Sequence, residues 1–359
     1  MKKTLCISTH LYPTNGFGGP AISFSNFLDY LKEHNHYFTA ISSTHEKSYN
    51  NKDKNFTRIY FNSRYFLKYG YSFQLFLYLF KNSNKYDNFI INGVTNFPLF
   101  FAIICAYFYK KKVFIFTRGG LEISRVNEWN FLKRTYYQLN IFFLNLINKH
   151  NNLTLVYQSQ DEKNISNIKC QNTVICSNYS ENFFKDTKKN FKTLSVLYVG
   201  RFSPEKGSDR LIELMNFFKN NITFKNTLYL AIASNTKIIE FEDFISTNNI
   251  NIQYNLDINE LDELYKNTNI IFFPSYKENF GNALVEGVAN GLLPVVYDDT
   301  HWSVLLKASC AMSEDSLKNE LLNDSRDGEH FQNKFQLTKK LVISEFIRGN
   351  DFKQVLDKL

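Results

Sequence analysis

Hydrophobic positions in the first half of the chain form short runs, separated by longer stretches with helical spacing. The runs are rich in β-branched and aromatic residues, which favour strands, and the stretches between them favour amphipathic helices. Alternation of the two predicts βαβ units, and therefore a parallel sheet with helices on both faces. The strand-like runs are TLCIST (4–9), YFTAISS (37–43), NFIINGV (88–94), KVFIFTR (112–118) and LTLVYQS (153–159).

A second series of the same kind begins after a polar, lysine-rich stretch, YSENFFKDTKKNFKT (179–193). We place an interdomain linker there. The pattern thus predicts an α/β protein of two tandem Rossmann-like, doubly wound domains, residues 1–180 and 190–344, which face each other across a cleft. Such domains bind ligands at the carboxyl ends of their strands. The strands of the second series are LSVLYVG (194–200), TLYLAIAS (227–234), NIQYN (251–255), IIFFPS (270–275) and LLPVVYDD (292–299).

Composition and charge narrow the class of partner. The chain has 359 residues and a net charge of +8, which suits phosphates, an anionic membrane surface or nucleic acid. We find no paired Cys/His zinc ligands and no aromatic ribonucleoprotein signature, so a nucleic-acid partner is not expected. The longest apolar stretch, FPLFFAIICAYFY (97–109), is shorter than the roughly 20 residues that a membrane-spanning helix needs.

The cysteines and the amino terminus indicate the compartment. The five cysteines are scattered and form no CxxC pair, which favours reduced thiols over a disulfide framework or a zinc site. The start, MKKTLCIST, has no apolar signal core and is interpreted as the first β-strand. We expect a cytoplasmic protein, with at most a peripheral position at the inner face of the cell membrane.

A first chemical motif is VGRFSPEKGSDRLIEL (199–214), in which a strand ends in a loop that carries Arg201 and Lys206. Amides at the start of the following helix attract anions, and two cations beside them suit a diphosphate. An ordinary βα loop with solvated charges explains this segment alone equally well.

A second motif, ENFGNALVE (278–286), follows the strand-like run IIFFPS. Gly281 lets the backbone approach a ligand closely, and a helix is expected from about Asn282. Glu278 falls in the loop and Glu286 one turn into the helix, where carboxylates can accept pairs of sugar hydroxyls. The alternative, that a helix start simply favours acidic residues, accounts for Glu278 but not for Glu286.

The order of these motifs resembles the retaining glycosyltransferases of glycosyltransferase family 4, which have the two-domain GT-B fold. The segments GRFSPEKG, DINELDELYKNTNIIFFPS and KENFGNALVEGVANGLLPVV follow the family order, and the resemblance covers residues 194–300. TRGGLE (117–122) and DTHWSVLL (299–306) resemble segments of a subgroup that builds surface polysaccharides. The carboxyl-terminal residues, about 345–359, resemble a helix that packs back on the first domain.

The resemblance implies a role for each site residue and a metal-independent, hexosyltransferase-type activity that needs no cofactor. Arg201 and Lys206 would hold the donor diphosphate and stabilise the leaving nucleotide, while Glu278 would bind hydroxyls of the donor sugar. Glu286 would bind the ribose hydroxyls. The remaining donor-site residues implied by the family motifs are Gly18, Gly19, Phe280, Gly281 and Asn282.

Several positions depart from the family pattern or leave two interpretations open. Asn279 replaces a usual glycine, Asn92 stands where many relatives have histidine, and Arg118 falls near a functional histidine of other members. We expect Asn92, Arg118 and His10 to contact the acceptor or a phosphate, although a loop histidine without such a role explains His10 as well. Trp302 would either wall the nucleotide pocket or serve only for packing.

The partners expected from these features are a nucleotide-sugar donor and a glycan or lipid-linked oligosaccharide acceptor of O-antigen, capsule or exopolysaccharide synthesis. Two aromatic and basic segments, 66–81 and 131–150, indicate a membrane-facing surface, although buried Rossmann helices show the same pattern. The alternative activities are a nucleotide-sugar epimerase or a glycan phosphorylase on the same fold. A catalytically silent scaffold subunit is a non-enzymatic alternative.

Overall fold

The chain forms two compact units, residues Met1–Tyr179 with Gly349–Leu359, and residues Ser180–Arg348. Each unit is an α/β layer structure in which a mainly parallel sheet carries helices. The computed structural model describes residues 2–11, 19–44, 49–52, 55–62, 72–94, 97–122, 131–179, 183–184, 187–221, 225–234, 236–278, 280–300, 302–323, 327–347 and 352–359.

The first unit is built on an eight-stranded sheet of order β3-β4-β2-β1-β5-β6-β7-β8. All neighbouring strands are parallel except β3, which runs antiparallel to β4 at the edge. The strand order reverses between β1 and β5, which is where doubly wound sheets bind ligands. The strands are β1 Thr4–Ser8, β2 Phe38–Thr44, β3 Tyr49–Lys52, β4 Phe56–Asn62, β5 Asn88–Asn92, β6 Lys112–Phe116, β7 Leu153–Tyr157 and β8 Thr173–Ile175.

Helices cover both faces of this sheet because its central strands are apolar on both sides. In β5, Phe89 and Ile91 face one core cluster with α2, α3 and α4, whereas Ile90 faces the other with α1 and α12. On that second face the carboxyl-terminal Phe352 packs edge-on against Phe27 at 5.2 Å. The helices are α1 Gly19–Glu33, α2 Phe73–Asn82, α3 Phe97–Phe108, α4 Phe131–Lys149, α5 Gln160–Asn164 and α12 Phe352–Leu356.

The second unit is built on a five-stranded, entirely parallel sheet of order β11-β10-β9-β12-β13. Its order reverses between β9 and β12. The strands are β9 Ser195–Gly200, β10 Thr227–Ile232, β11 Ile250–Tyr254, β12 Ile270–Phe272 and β13 Leu293–Val295, and the helices are α6 Ser208–Asn220, α7 Ile258–Asn267, α8 Asn282–Ala289, α9 Ser303–Lys307, α10 Glu314–Leu322 and α11 Gly328–Val342.

Local sequence explains where these helices begin. Asp257 caps α7 through a capping box with Glu260, in which each side chain accepts a hydrogen bond from the other residue's amide. Asp327 caps α11 in a similar way through the amides of Glu329 and His330.

Strands β3 and β4 extend the first sheet beyond the predicted pattern. The run FTRIYFN of β4 mixes polar residues into its alternation, and YNNK of β3 is a polar edge strand, so neither has a clear hydrophobic signal. Among the residues that the structure describes, none of the helices is both long and apolar enough to cross a membrane.

Candidate active site in the second unit

Two loops meet at the point where the strand order of the second sheet reverses. β9 and β12 are parallel neighbours, so the loops that follow them leave the same edge of the sheet. The first loop carries Arg201 and Lys206, and the second carries Glu278. Adjacent strands therefore bring together residues that lie far apart in the sequence.

The first loop ends in a tight turn that brings it against the second. Residues Pro204–Lys206 form one turn of 3-10 helix, and Gly207 then adopts a left-handed conformation with φ 71° before α6 begins. A Cβ atom on Gly207 would lie 2.2 Å from the carbonyl oxygen of Pro274. Only glycine permits this approach of the two backbones.

Main-chain hydrogen bonds fix the second loop on the first. The amides of Tyr276 and Lys277 both donate to the carbonyl oxygen of Glu205, at 3.1 and 3.2 Å. Lys206 Nζ then forms an ion pair with Glu278 Oε1, and these side chains are only 20% and 15% exposed. The structure thus joins two of the predicted site residues directly.

Arg201 has a more open environment than Lys206. Its side chain is 64% exposed, and Nη2 donates to Glu205 Oε1 at 3.2 Å. The Arg201 carbonyl accepts from Tyr198 Oη at 2.6 Å, which fixes the backbone where β9 ends. An exposed ion pair of this kind contributes little to stability, so the guanidinium can exchange Glu205 for another anion.

Gly281 is the N-cap residue of α8 and adopts a left-handed conformation, with φ 82°. Its alpha carbon packs so closely against Trp302 that an added Cβ would lie 2.5 Å from Nε1 of the indole. Trp302 is fully buried, donates from Nε1 to the Phe280 carbonyl at 3.2 Å and packs on Phe346. The Phe280 side chain is also buried, so packing is what the structure shows for both aromatic residues.

Glu286 lies on α8, four residues beyond Asn282, and is held by a neighbouring helix. Tyr265 at the end of α7 donates from its hydroxyl to Glu286 Oε2 at 3.0 Å. Burial raises the pKa of Tyr265, and the charge of Glu286 raises it further. The phenol therefore remains a proton donor to this carboxylate at neutral pH.

Sequence reasoning missed a group of residues around Arg210 on α6. Its guanidinium is stacked between Tyr276 and Tyr297 and is paired with Asp299. These residues have no sequence motif in common, because Arg210 and Asp299 are 89 positions apart. A mid-chain arginine next to the predicted phosphate loop was the one available signal.

In the first unit, two of the predicted residues form one polar network at the carboxyl edge of the sheet. Arg118 Nε donates to Asn92 Oδ1 at 2.7 Å, and its Nη1 donates to Asn178 Oδ1. Asn92 in turn donates to Ser8 Oγ at 3.0 Å and to the Pro20 carbonyl at 3.2 Å. The network therefore connects the ends of several adjacent strands with the start of α1.

Arg118 is held in an unfavourable environment for its charge and its backbone. Its φ of 53° is unusual for a residue with a side chain. Burial lowers the pKa of Arg118 to about 10, although the charge of the nearby buried Glu162 acts in the opposite direction. The Glu162 carboxylate accepts from Thr117 and from the amides of Gly119 and Gln158.

The remaining predicted residues have simpler placements. His10 follows β1, and its carbonyl accepts from Ser8 Oγ at 2.7 Å. Gly19 is the first residue of α1. Gly18 and Asn279 lie outside the residues that the structure describes.

Comparisons with known proteins find similarity to glycosyltransferases in the region that contains this site. Residues 179–308 match the family model described as "Glycosyl transferases group 1". This range contains all the site residues of the second unit. The chain is also 21% identical over 218 residues to the capsular polysaccharide biosynthesis glycosyltransferase CapM of Staphylococcus aureus. That match covers 57% of this chain and 57% of CapM, so the aligned region spans somewhat more than half of the curated relative.

Solved structures agree over the whole chain. Sucrose-phosphate synthase from Thermosynechococcus elongatus superposes with a TM-score of 0.71 at 14% identity, and covers 100% of this chain and 98% of its own. WaaG, a glycosyltransferase involved in lipopolysaccharide biosynthesis, gives a TM-score of 0.64 at 14% identity and covers 99% of each chain.

The solved structures show the fold of the chain, and the sequence matches show which part of it resembles known glycosyltransferases. The chain has the Rossmann-like GT-B fold of glycosyltransferases, as the sequence predicted. The match of residues 179–308 to the glycosyl transferases group 1 model, together with the likeness to CapM, confirms the resemblance to glycosyltransferases that the motifs indicated.

Proposed function

We propose that this chain is a retaining glycosyltransferase of the hexosyltransferase type, which moves a sugar from a nucleotide diphosphate sugar to a glycan acceptor. The observation that carries the proposal is the ion pair between Lys206 and Glu278 at the strand-order reversal of the second sheet. It lies within the region that matches the glycosyl transferases group 1 model. A cation for phosphate and an acid for sugar hydroxyls therefore lie side by side.

In this proposal the donor phosphate binds at the start of α6. Lys206 and Arg201 hold the diphosphate and stabilise the charge that develops on the leaving nucleotide. Because Arg201 is exposed and only loosely paired with Glu205, it can turn to the phosphate at little cost. In other enzymes a divalent metal can stabilise the charge on the leaving diphosphate. Here the two cations do so, and we therefore propose a metal-independent reaction without a further cofactor.

The donor sugar and ribose bind to the two acids of the second motif. Glu278 accepts from hydroxyls of the sugar, and Glu286 accepts from the ribose hydroxyls with its orientation fixed by Tyr265. Gly281 and the first amides of α8, near Asn282, supply main-chain contacts. Phe280 contributes through its backbone because its side chain is buried.

The proposed reaction keeps the configuration at the anomeric carbon. The acceptor hydroxyl attacks on the face from which the phosphate departs, and an oxygen of that phosphate takes the proton. Gly18 and Gly19 stay proposed donor-binding residues, as the family motif implies. The contact between Lys206 and Glu278 opens when donor binds, and each side chain exchanges its partner for a phosphate or a hydroxyl.

We further propose an acceptor from surface polysaccharide synthesis, with a lipid-linked glycan as its form. The names of CapM and WaaG support this pathway class. His10, Asn92 and Arg118 are proposed to contact the acceptor or a phosphate. The fixed guanidinium of Arg118 at a sheet edge suits such an anionic or hydroxyl-rich group.

A lipid-linked acceptor requires access to a membrane surface, and the first unit has a suitable aromatic face. Helix α3 packs between α2 and α4, and all three present large exposed side chains. Tyr109 donates to the Phe80 carbonyl at 3.1 Å, which joins the ends of α2 and α3. We call the large exposed apolar side chains of these helices, and of the residue that follows α3, the aromatic face: Phe73, Phe80, Phe108, Tyr109, Phe131, Leu139 and Phe142.

Exposed lysines accompany the aromatic face, among them Lys81, Lys110 and Lys149. Aromatic side chains insert at the lipid interface, and each lysine near an anionic bilayer adds roughly 1 kcal/mol of binding. We therefore propose peripheral attachment through the aromatic face, at the cytoplasmic side of the cell membrane.

Vesicle binding tests this attachment. The double variant Phe80→Ser/Phe142→Ser is expected to lower partitioning into phosphatidylglycerol vesicles at least about tenfold. Burial of one phenyl ring in the bilayer contributes a large part of roughly 1.5–3 kcal/mol to the binding free energy, and the variant loses two rings. Cosedimentation with vesicles measures it. The control, Ile239→Ser/Ile245→Ser, removes two apolar residues of the second unit that are even more exposed, and it should bind as wild type. Equal partitioning of both variants would contradict the attachment.

A donor panel tests the proposed activity. We expect one among uridine, guanosine and adenosine diphosphate sugars to raise the melting temperature of the protein clearly above the others, since saturating ligand at 100 times Kd adds about 2.7 kcal/mol. Interconversion of free nucleotide sugars without acceptor would favour an epimerase instead. Phosphorolysis of a glycan would indicate a phosphorylase, and no binding of any nucleotide would favour a silent scaffold.

A further inference from the structure

The side chain of Arg210 is enclosed on both faces and along its edge. The guanidinium carbon lies 3.7 Å from the ring centre of Tyr276 and 3.8 Å from that of Tyr297. Nη2 donates to Asp299 Oδ2 at 2.6 Å, and Nη1 donates to the Pro274 carbonyl at 3.1 Å. The planar group is thus stacked between two rings while it forms hydrogen bonds in its own plane.

These contacts join three segments of the candidate site: the start of α6 after the Lys206 loop, the Glu278 loop, and the segment that precedes Trp302. Arg210 is the third residue of α6, directly after the loop that carries Lys206. Its aromatic and carbonyl partners in the second segment lie just before Glu278. Its partners in the third segment lie just before Trp302, which in turn holds the Phe280 carbonyl.

The rings and the charge around Arg210 are themselves held by further contacts. The Tyr276 hydroxyl donates to Asp209 Oδ2 at 2.6 Å and thereby lowers the pKa of Asp209. The Tyr297 hydroxyl donates to Glu314. Burial acts to lower the pKa of Arg210, but the hydrogen bond and charge of Asp299 outweigh it and raise the pKa.

Stability alone is a poor reason for such an arrangement. A partly buried ion pair contributes little net stability, and apolar side chains could fill the same space. What arginine provides here is geometry, because its planar fork fixes direction as well as distance. The geometry fixed by Arg210 is the spacing between the Lys206 loop and the Glu278 loop.

We propose that Arg210 is a positioning residue for the transfer reaction, which sets the relative placement of Lys206 and Glu278 without contacting the donor itself. This proposal rests on the proposed function. Because Tyr276 and Lys277 are also held by the Glu205 carbonyl, loss of the guanidinium should loosen the segment rather than unfold the unit.

The test compares Arg210→Lys and Asp299→Asn with wild type. Arg210→Lys keeps the positive charge but loses the planar guanidinium and its stacking between two rings. Asp299→Asn keeps the stacking but weakens the ion pair with Arg210. We expect amide hydrogen exchange in residues 275–278 to become about tenfold faster, as for the loss of one charged hydrogen bond. We expect kcat to fall about 100-fold, as for a small misplacement of reacting groups, with a smaller change in KM for the donor.

The matched control is Arg58→Lys in the first unit. Arg58 also pairs with a carboxylate, Asp29 at 2.6 Å, and lies over an aromatic ring, Phe56. The control should leave exchange in 275–278 and both kinetic constants unchanged. Unchanged exchange and kinetic constants in Arg210→Lys, with only a lower melting temperature, would overturn the positioning role.

Two further outcomes have a defined meaning. If Arg210→Lys does not fold, Asp299→Asn decides by the same two measurements. If the wild-type chain turns over no nucleotide sugar, the proposed function fails. The exchange experiment still shows whether Arg210 holds the Glu278 segment, and normal exchange there would overturn the structural basis of the proposal as well.

Discussion

Replacing Lys206 with alanine is expected to lower the rate of sugar transfer by about 10²–10³-fold, the usual effect of removing one preorganised group that stabilises developing charge. The Lys206 side chain is only 20% exposed and is paired with Glu278, so solvent screens its charge less than that of a surface lysine. Removal also leaves the Glu278 carboxylate in a partly buried position without its counter-charge. The release of nucleoside diphosphate from the donor measures the effect.

The control for this variant is Lys266→Ala on α7. Lys266 is exposed and pairs with Asp262 and Glu263 on the same helix, at 2.7 and 2.9 Å. Surface pairs of this kind contribute little, so turnover should stay within error of wild type. A Lys206→Ala chain as active as Lys266→Ala would show that the cation does not stabilise the leaving group.

Replacing Gly207 with alanine is expected to destabilise the second unit by about 2–5 kcal/mol. The left-handed backbone costs roughly 1–2 kcal/mol for a residue with a side chain, and forced overpacking adds about 1–3 kcal/mol. The added Cβ would lie 2.2 Å from the Pro274 oxygen, and a backbone atom cannot move aside as a flexible side chain can. The loop that carries Lys206 must shift, so turnover should fall too.

Gly328→Ala is the matched control for Gly207→Ala. Gly328 is the first residue of α11, and a Cβ there meets nothing within 4 Å. Alanine should therefore change the free energy of unfolding by no more than about 1 kcal/mol, in the stabilising direction. Thermal unfolding followed by circular dichroism compares the two. Equal melting temperatures would contradict the described approach of Gly207 to Pro274.

Much of the fold could be predicted because apolar runs record burial directly. The central strands of both sheets are buried on both faces, so β5 and β9 appear as continuous apolar stretches in the sequence. The edge strand β3 and its neighbour β4 escaped prediction because their sequences show neither a continuous apolar run nor a regular alternation. Their pairing depends on the neighbouring sheet rather than on their own residues.

The sequence could predict which site residues approach each other only where the order of the strands determines their positions. Lys206 and Glu278 follow adjacent parallel strands, so motif order alone indicates that they approach each other. The stacking of Arg210 between Tyr276 and Tyr297 depends on side-chain directions that no spacing records. Phe280 shows the same limit, because neither the burial of its side chain nor the hydrogen bond to its carbonyl from a tryptophan 22 positions away is visible in the local pattern.

The most direct test of the account is the release of nucleoside diphosphate from each nucleotide sugar of the donor panel, with and without a bacterial membrane extract as acceptor. Wild-type protein is expected to release nucleoside diphosphate from one donor, faster with the extract, and the Lys206→Ala chain is expected to lose this activity. Turnover that persists undiminished in the Lys206→Ala chain, or a wild-type chain that turns over none of the donors, would contradict it.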